Sequence, residues 1–119
     1  GTREFTEGIH SAVTVLVGIA YRGTPIAGVI QQPWHTPATQ RCFWGCAGLG
    51  VHWQTHSDAV VGAADWVEHI APHVPRDRCV VGTSRSHGRP ELDAAVKNSR
   101  PTDVIRSGGA GNKVLQLLE

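Results

Sequence analysis

An apolar run of nine residues, Val13 to Tyr21 (VTVLVGIAY), is the feature that most narrows the folds open to this chain. It is rich in β-branched residues and short, which is typical of a buried strand. A turn sequence follows at residues 22–25 (RGTP), and Ile26 to Gln32 (IAGVIQQ) has the pattern of a returning strand. The sequence therefore predicts an antiparallel hairpin, which Pro33 and Pro37 end.

Two further short strands, Cys42 to Trp44 and Leu49 to Trp53, extend this antiparallel part. The segment from Asp58 to Ile70 is ambiguous, because its apolar residues fall near one helical face while Gly62 and two valines weaken a helix. Prolines follow this segment, and we place a domain boundary between residues 76 and 77.

The pattern beyond residue 77 alternates between strand and helix. Cys79 to Gly82 and Asp103 to Arg106 have the composition of strands, and Pro90 suits the first position of the helix between them. A glycine-rich turn then leads into a final helix. This order is typical of a parallel or mixed sheet, so the predicted fold class is α/β with an α+β first part.

Composition excludes several classes of function. Charged residues make up 18% of the chain, the formal net charge is +1, and the basic residues are scattered, so we expect no nucleic-acid partner. No apolar stretch reaches the roughly 18–20 residues of a membrane span, so we expect no membrane partner either. No secretion signal is visible. Three cysteines are too few for a disulfide scaffold and favour a reducing, cytoplasmic location.

The ends of the chain have the character of a fragment. The sequence contains no methionine, and residues 113–119 form a helical pattern that is still running at the last residue. We therefore expect an internal piece of a longer protein.

Three segments have residues suited to a ligand. Residues 108–113 (GGAGNK) combine flexible backbone amides, a helix start and the charge of Lys113, which together suit an anion, although such glycines also serve packing. Residues 83–87 (TSRSH) follow a strand, where α/β folds place ligands, but would equally suit a loop that caps a helix. Residues 1–8 (GTREFTEG) have on composition alone the character of a frayed terminus.

A metal site of zinc type is the weakest candidate. The pairs Cys42/Cys46 and His52/His56 superficially resemble zinc ligands. Only five residues separate the two pairs, however, so we expect no zinc there.

Taken together, the segments GTREFTEG, SRSH and GGAGNK, in this order, resemble the inositol monophosphatase superfamily, whose members are lithium-sensitive, magnesium-dependent phosphatases. The resemblance is closest to its 3'(2'),5'-bisphosphate nucleotidase branch. That family's metal motif ends in Asp-Gly-Thr, and this chain begins with Gly1-Thr2, as though cut directly after the aspartate. VTVLVGIAY, IAGVIQQPW and FWGCAGLG are similar to the segments that follow the motif, and the likeness is weakest between residues 54 and 78.

The resemblance implies roles for five residues. Thr2 matches the threonine that assists the nucleophilic water. Ser84 and His87 match a Thr-x-x-His arrangement that contacts the nucleotide, with serine here in place of the usual threonine. Gly109 and Lys113 match residues that contact the nucleotide and its phosphate. The family's metal carboxylates lie outside these 119 residues, so no metal ligand is assigned here.

The implied fold is a layered α/β/α/β/α sandwich of the sugar-phosphatase type. Residues 1–76 would form the rear of its antiparallel N-terminal α+β domain, and residues 77–119 the start of its C-terminal α/β domain. The implied reaction is Mg²⁺-dependent hydrolysis of the 3'-phosphate of 3'-phosphoadenosine 5'-phosphate and of the 1-phosphate of inositol polyphosphates. This chain by itself is expected to be inactive. The alternative is a non-catalytic protein that binds a nucleotide or anion without turnover.

Overall fold

The computed structural model describes residues 1–36, 38–56, 67–69, 77–85 and 88–119. Within these ranges the chain forms helices, one short 3-10 helix and strands in two sheets. The elements are α1 (Thr2–Thr6), the 3-10 helix (His10–Ala12), β1 (Val15–Tyr21), β2 (Thr24–Thr36), β3 (Thr39–Cys46), β4 (Gly50–His56), β5 (Val67–His69), β6 (Val80–Ser84), α2 (Pro90–Asn98), β7 (Asp103–Ser107) and α3 (Ala110–Leu118).

The first sheet is antiparallel throughout, with strand order β1-β2-β3-β4-β5. The predicted hairpin is confirmed as β1 and β2, which close at the pair Tyr21 and Thr24. Its two-residue loop has positive φ at both positions, 48° at Arg22 and 80° at Gly23. Such a loop matches the twist of the flanking strands, which explains why the hairpin closes here.

The prediction that Pro33 ends the returning strand is wrong, because β2 continues to Thr36. The pairing of β2 with β3 is irregular between Gln32 and Thr36. A proline lacks the N–H that a regular ladder uses, so it is tolerated where the ladder is interrupted. Pro37 lies outside the described residues.

The ambiguous segment between residues 58 and 70 is described only over Val67–His69, which forms β5. This strand pairs with β4 in antiparallel register, with Val67 opposite Trp53. At this end of the segment the chain is therefore a strand and not a helix, and the remainder lies outside the described residues.

The second sheet contains β6 and β7, which are parallel and connected through α2. Helix α2 begins at Pro90 with Glu91 and Asp93 in its first turn, as the sequence predicts. The strand–helix–strand–helix order and the parallel pairing are both confirmed, and the chain has the mixed α/β character expected of it. The domain boundary after residue 76 stays a prediction.

The expectation that the apolar run of β1 is buried is wrong for this chain, because all seven residues of β1 are exposed. Among the described residues β1 is an edge strand, with a neighbour on one side only. Burial is concentrated at β3 and α3 instead, where Phe43 is 4% and Leu115 1% exposed. Phe43 stacks on Trp53 with ring centroids 6.1 Å apart.

No helix within the described ranges combines the length and the hydrophobicity that a membrane crossing needs.

Candidate functional site

The carboxyl edge of the parallel sheet places two of the sequence-predicted site residues near each other. Ser84 ends β6 and lies opposite Ser107, which ends β7. Two glycines follow Ser107 directly, and the second, Gly109, caps α3 with a φ of 75°. This backbone conformation is open to glycine and strained for other residues, so the sharp turn into α3 depends on Gly109.

The first turn of α3 is the glycine-rich helix start from which the sequence predicts an anion site. No side chain among the described residues caps it. Asn112 Nδ2 donates to the carbonyl of Gly108 at 3.2 Å, and the N–H of Lys113 donates to the carbonyl of Gly109 at 3.2 Å. The backbone N–H groups that precede Lys113 in α3 have no acceptor within the helix, because the first N–H groups of any helix lack one. They lie at the positive end of the helix dipole. The half-buried side chain of Lys113 lies one turn along, and it forms no ion pair with the residues that the structure describes.

The start of the chain is an ordered helical turn rather than a frayed terminus. Thr2 is the first residue of α1 and is exposed to solvent. The N–H of Phe5 donates to the carbonyl of Gly1 at 2.9 Å, which closes the turn that carries Thr2. The hydroxyl of Thr2 is therefore presented at the surface from a fixed backbone.

Helix α1 and the glycine turn before α3 lie against each other. Glu4, on α1, is 4% exposed, and a Cβ built on Gly108 would overlap its carboxyl group. A Cβ on Gly109 would lie 2.6 Å from the carbonyl oxygen of Ala12. The turn before α3 approaches Glu4 and Ala12 this closely only because Gly108 and Gly109 have no side chains. Residues near the two ends of the sequence therefore contribute to one surface.

Charged side chains connect the same elements. Arg85, directly after β6, places its Nη2 3.4 Å from Glu4 Oε1 and also pairs with Glu7. Glu7 Oε1 accepts a hydrogen bond of 2.7 Å from Arg3 Nε. The hydrogen bond from Arg3, followed by that from Arg85, holds the pKa of Glu7 below its usual value. Glu7 is therefore ionised at neutral pH.

A cavity of about 440 Å³ lies beside this cluster, between α1, β2, β3 and α3. Glu4, Arg85 and Gly108 form one part of its wall, and His35 and Arg41 another. Desolvation, followed by the charge of Arg41, lowers the pKa of His35, so its imidazole is neutral at pH 7. The described lining of the cavity does not contain Thr2 or Lys113, which lie outside it.

The structure thus brings Ser84 and Gly109 to one sheet edge, with Lys113 one helical turn beyond Gly109, and packs α1, which begins at Thr2, against Gly108. His87 lies outside the described residues. Sequence reasoning missed Glu4 and Arg85, although both belong to the segments that it selected. The charges of Arg3, Glu4, Glu7 and Arg85 are a signal for ion pairs that the sequence analysis did not use. The burial of Glu4 has no such local signal, because it depends on Gly108 at the other end of the sequence.

The described residues contain no group of three or more His, Cys, Asp or Glu side chains that could hold a metal. The described residues therefore do not by themselves supply a site for a Mg²⁺ ion. At the zinc-like pairs, His52 stacks on Trp44 with ring centroids 4.4 Å apart, and its Nε2 lies 2.9 Å from the carbonyl oxygen of Leu49. Burial raises the pKa of the Cys42 thiol, which disfavours the thiolate that zinc needs.

Comparison with known proteins defines the class. The sequence model of the inositol monophosphatase family matches residues 1–119, which is the whole chain. The chain belongs to this family, in agreement with the resemblance of its three motifs and with its mixed α/β fold.

Individual relatives are similar over almost the whole chain. Mouse 3'(2'),5'-bisphosphate nucleotidase 1 is 38% identical over 125 residues, covering 100% of this chain and 36% of its own length. Zebrafish inositol monophosphatase 3 is 33% identical, covering 98% of this chain and 29% of its own length. Marmoset Golgi-resident adenosine 3',5'-bisphosphate 3'-phosphatase is 30% identical, and the match covers 99% of this chain and 28% of the relative's length. The chain thus spans about a third of the length of the relatives that it matches.

Proposed function

We propose that the protein to which this chain belongs is a magnesium-dependent phosphomonoesterase, a 3'(2'),5'-bisphosphate nucleotidase that hydrolyses 3'-phosphoadenosine 5'-phosphate. The observation that carries the proposal is the packing of the Thr2 helix against the uncapped, glycine-rich start of α3. A hydroxyl suited to water activation and a site suited to an anion thereby share one surface. The identity to bisphosphate nucleotidases over the whole chain supports the same substrate class.

The residues of this chain would divide the work between water and substrate. Thr2, exposed at the start of α1, would orient the attacking water and help remove its proton. The amides at Gly109 and the ammonium group of Lys113 would hold anionic groups of the nucleotide. Ser84 and His87 would shape the adenosine end. Mg²⁺, held by carboxylates outside these residues, would supply charge stabilisation on the phosphoryl oxygens.

The proposal extends to a second group of substrates, the 1-phosphates of inositol polyphosphates. The similarity to an inositol monophosphatase supports this extension. Backbone amides at a helix start bind phosphate oxygens, which nucleotides and phosphorylated inositols share, so a phosphorylated inositol would be able to use the same amides.

We place the protein in the cytoplasm. Cys42, Cys46 and Cys79 are all free thiols in the structure, which suits a reducing compartment. One relative is named for the Golgi, so localisation needs a direct measurement by fluorescent tagging of the full-length protein.

The experiment that tests the function is steady-state phosphate release by the full-length protein. The substrates are 3'-phosphoadenosine 5'-phosphate, an inositol 1,4-bisphosphate and adenosine 5'-monophosphate, each with Mg²⁺ and with excess chelator. We expect turnover of the bisphosphate nucleotide that chelator abolishes, and little turnover of the monophosphate. Tight nucleotide binding without turnover would instead support the non-catalytic alternative.

A further inference from the structure

We infer that Glu4 is a positioning residue, and that its contact with Arg85 and Gly108 fixes the Thr2 helix against the anion-binding turn. This inference rests on the proposed function for its effect on catalysis. Its structural part, the joining of α1 to the turn before α3 through one carboxylate, stands independently.

The space around Glu4 is built from two glycines at opposite ends of the sequence. A Cβ on Gly1 would lie 2.9 Å from Glu4 Oε2, and a Cβ on Gly108 would overlap Oε1 and the carboxyl carbon. One oxygen therefore faces the residue before Thr2, and the other faces the turn before α3. A larger residue at either glycine would push the carboxylate out of its place.

Burial makes this contact specific. Glu4 is 4% exposed, and a buried carboxylate costs free energy unless it is paired. Its described charged partner is Arg85, with Nη2 at 3.4 Å from Oε1. The N–H of Ile9 also donates to the backbone carbonyl of Glu4 at 2.8 Å, which fixes the end of α1.

Arg85 joins a third element to the contact. Its backbone N–H donates to the carbonyl of Ser107 at 3.2 Å, at the carboxyl edge of β6 and β7. The guanidinium and the backbone of one residue thus tie α1 to the sheet edge that carries Ser84. Loss of the Glu4 carboxylate would leave the Arg85–Glu7 pair in place but remove the buried contact between α1 and the turn before α3, so Thr2 could shift relative to the substrate groups.

The test uses the full-length protein with Glu4→Gln, which keeps the side-chain shape and removes the charge. Displacement of a reacting group by about 1 Å can cost on the order of 100-fold in rate, so we expect kcat on the bisphosphate nucleotide to fall by roughly 10- to 100-fold. KM should change much less than kcat, because the substitution removes no group that binds the substrate in the proposed mechanism. Asp93→Asn is the matched control, since Asp93 also lies 3.4 Å from an arginine, Arg106, but on the exposed surface, and it should leave both parameters unchanged.

A double-mutant cycle that combines Glu4→Gln with Thr2→Ala distinguishes a positioning role of Glu4 from a general loss of structure. If Glu4 acts through Thr2, the double variant Thr2→Ala/Glu4→Gln should be no slower than Thr2→Ala alone. If the kcat losses of the two single variants multiply in the double variant, or if Glu4→Gln has a normal kcat, the inference is wrong. If Glu4→Gln does not fold, Arg85→Lys replaces it in the same cycle, because the side chain of Arg85 is 36% exposed and that of Glu4 only 6%.

Hydrogen exchange distinguishes failure of the inference from failure of the proposed function. Glu4→Gln should raise amide exchange in residues 1–12 and 107–113 together, and Asp93→Asn should raise neither. If the wild type hydrolyses no bisphosphate nucleotide, the proposed function fails, and the exchange result alone decides the structural part. Unchanged exchange in both segments would overturn it.

Discussion

Thr2 and Lys113 lie on neighbouring elements but have different chemical tasks in the proposed mechanism. Thr2 carries a hydroxyl on the exposed first position of α1, whereas Lys113 carries a charge one turn into α3. A hydroxyl beside the attacking water acts mainly in the transition state. A charge beside a phosphate that is already present in the substrate acts in both states, so kinetics can separate the two roles.

Thr2→Ala in the full-length protein should lower kcat with a modest change in KM. A general acid–base contribution is typically ~10²–10⁴-fold, which sets the expected loss. Thr2→Ser, which retains the hydroxyl, should keep most of the rate, and Thr6→Ala on the same helix should keep all of it. Saturating kinetics on the bisphosphate nucleotide measure this, and a near-normal kcat in Thr2→Ala would remove Thr2 from the mechanism.

Lys113→Ala should raise KM for the bisphosphate nucleotide and leave kcat nearly unchanged. A hydrogen bond to a charged group contributes roughly 1.5–3 kcal/mol, or about 10- to 150-fold. Inositol phosphates should be affected less if Lys113 serves the 5'-phosphate. Lys97→Ala, on the exposed end of α2, is the control. An unchanged KM for Lys113→Ala would show that residues 108–113 (GGAGNK) form a turn that starts a helix and do not bind the substrate.

At the scale of elements, the contact between α1 and the turn before α3 holds the site together. Gly108 is buried at this contact, and its missing side chain makes the space for the Glu4 carboxyl group. The stability of the contact should therefore depend on the size of residue 108 more than on its polarity.

Gly108→Ala should destabilise the full-length protein, because the new methyl group would overlap Glu4. Overpacking of this kind typically costs about 1–3 kcal/mol. Gly82→Ala is the control, since a Cβ at Gly82 meets nothing within 4 Å and Gly82 lies in β6, which pairs with the strand that leads to Gly108. Denaturant unfolding of the three proteins measures the effect. Equal midpoints for Gly108→Ala and the wild type would show that the contact contributes nothing.

Sequence patterns predicted those elements whose cause is local. The Arg22-Gly23 hairpin, the start of α2 at Pro90 and the parallel β6–β7 pair follow from turn residues, helix positions and element order. The passage of β2 through Pro33 was not predictable, because it depends on where the ladder with β3 is interrupted. The burial of Glu4 likewise depends on Gly108, and no local pattern reports a contact across the whole sequence.

At the scale of the whole molecule, this chain spans about a third of the length of its relatives. It carries the proposed water-orienting hydroxyl and anion site, but the described residues contain no cluster of three metal-binding side chains. All seven residues of β1 are exposed, and this strand has one sheet neighbour in the described part of the chain.

The isolated 119-residue chain should have no measurable phosphatase activity with Mg²⁺ and 3'-phosphoadenosine 5'-phosphate. In the proposed mechanism the metal carboxylates lie outside these residues, so the isolated chain would lack the charge stabilisation that the transition state needs. The full-length protein at equal concentration is the positive control. Turnover by the isolated chain clearly above a chelator-treated blank would show that the residues present are sufficient.

Identification of the product tests the central claim most directly. The full-length protein is incubated with 3'-phosphoadenosine 5'-phosphate and Mg²⁺, and the nucleotide is separated by chromatography and identified by ³¹P NMR. We expect adenosine 5'-monophosphate and one equivalent of inorganic phosphate, with no adenosine 3'-monophosphate. Formation of the 3'-monophosphate, or recovery of the intact bisphosphate nucleotide, would contradict the proposed function.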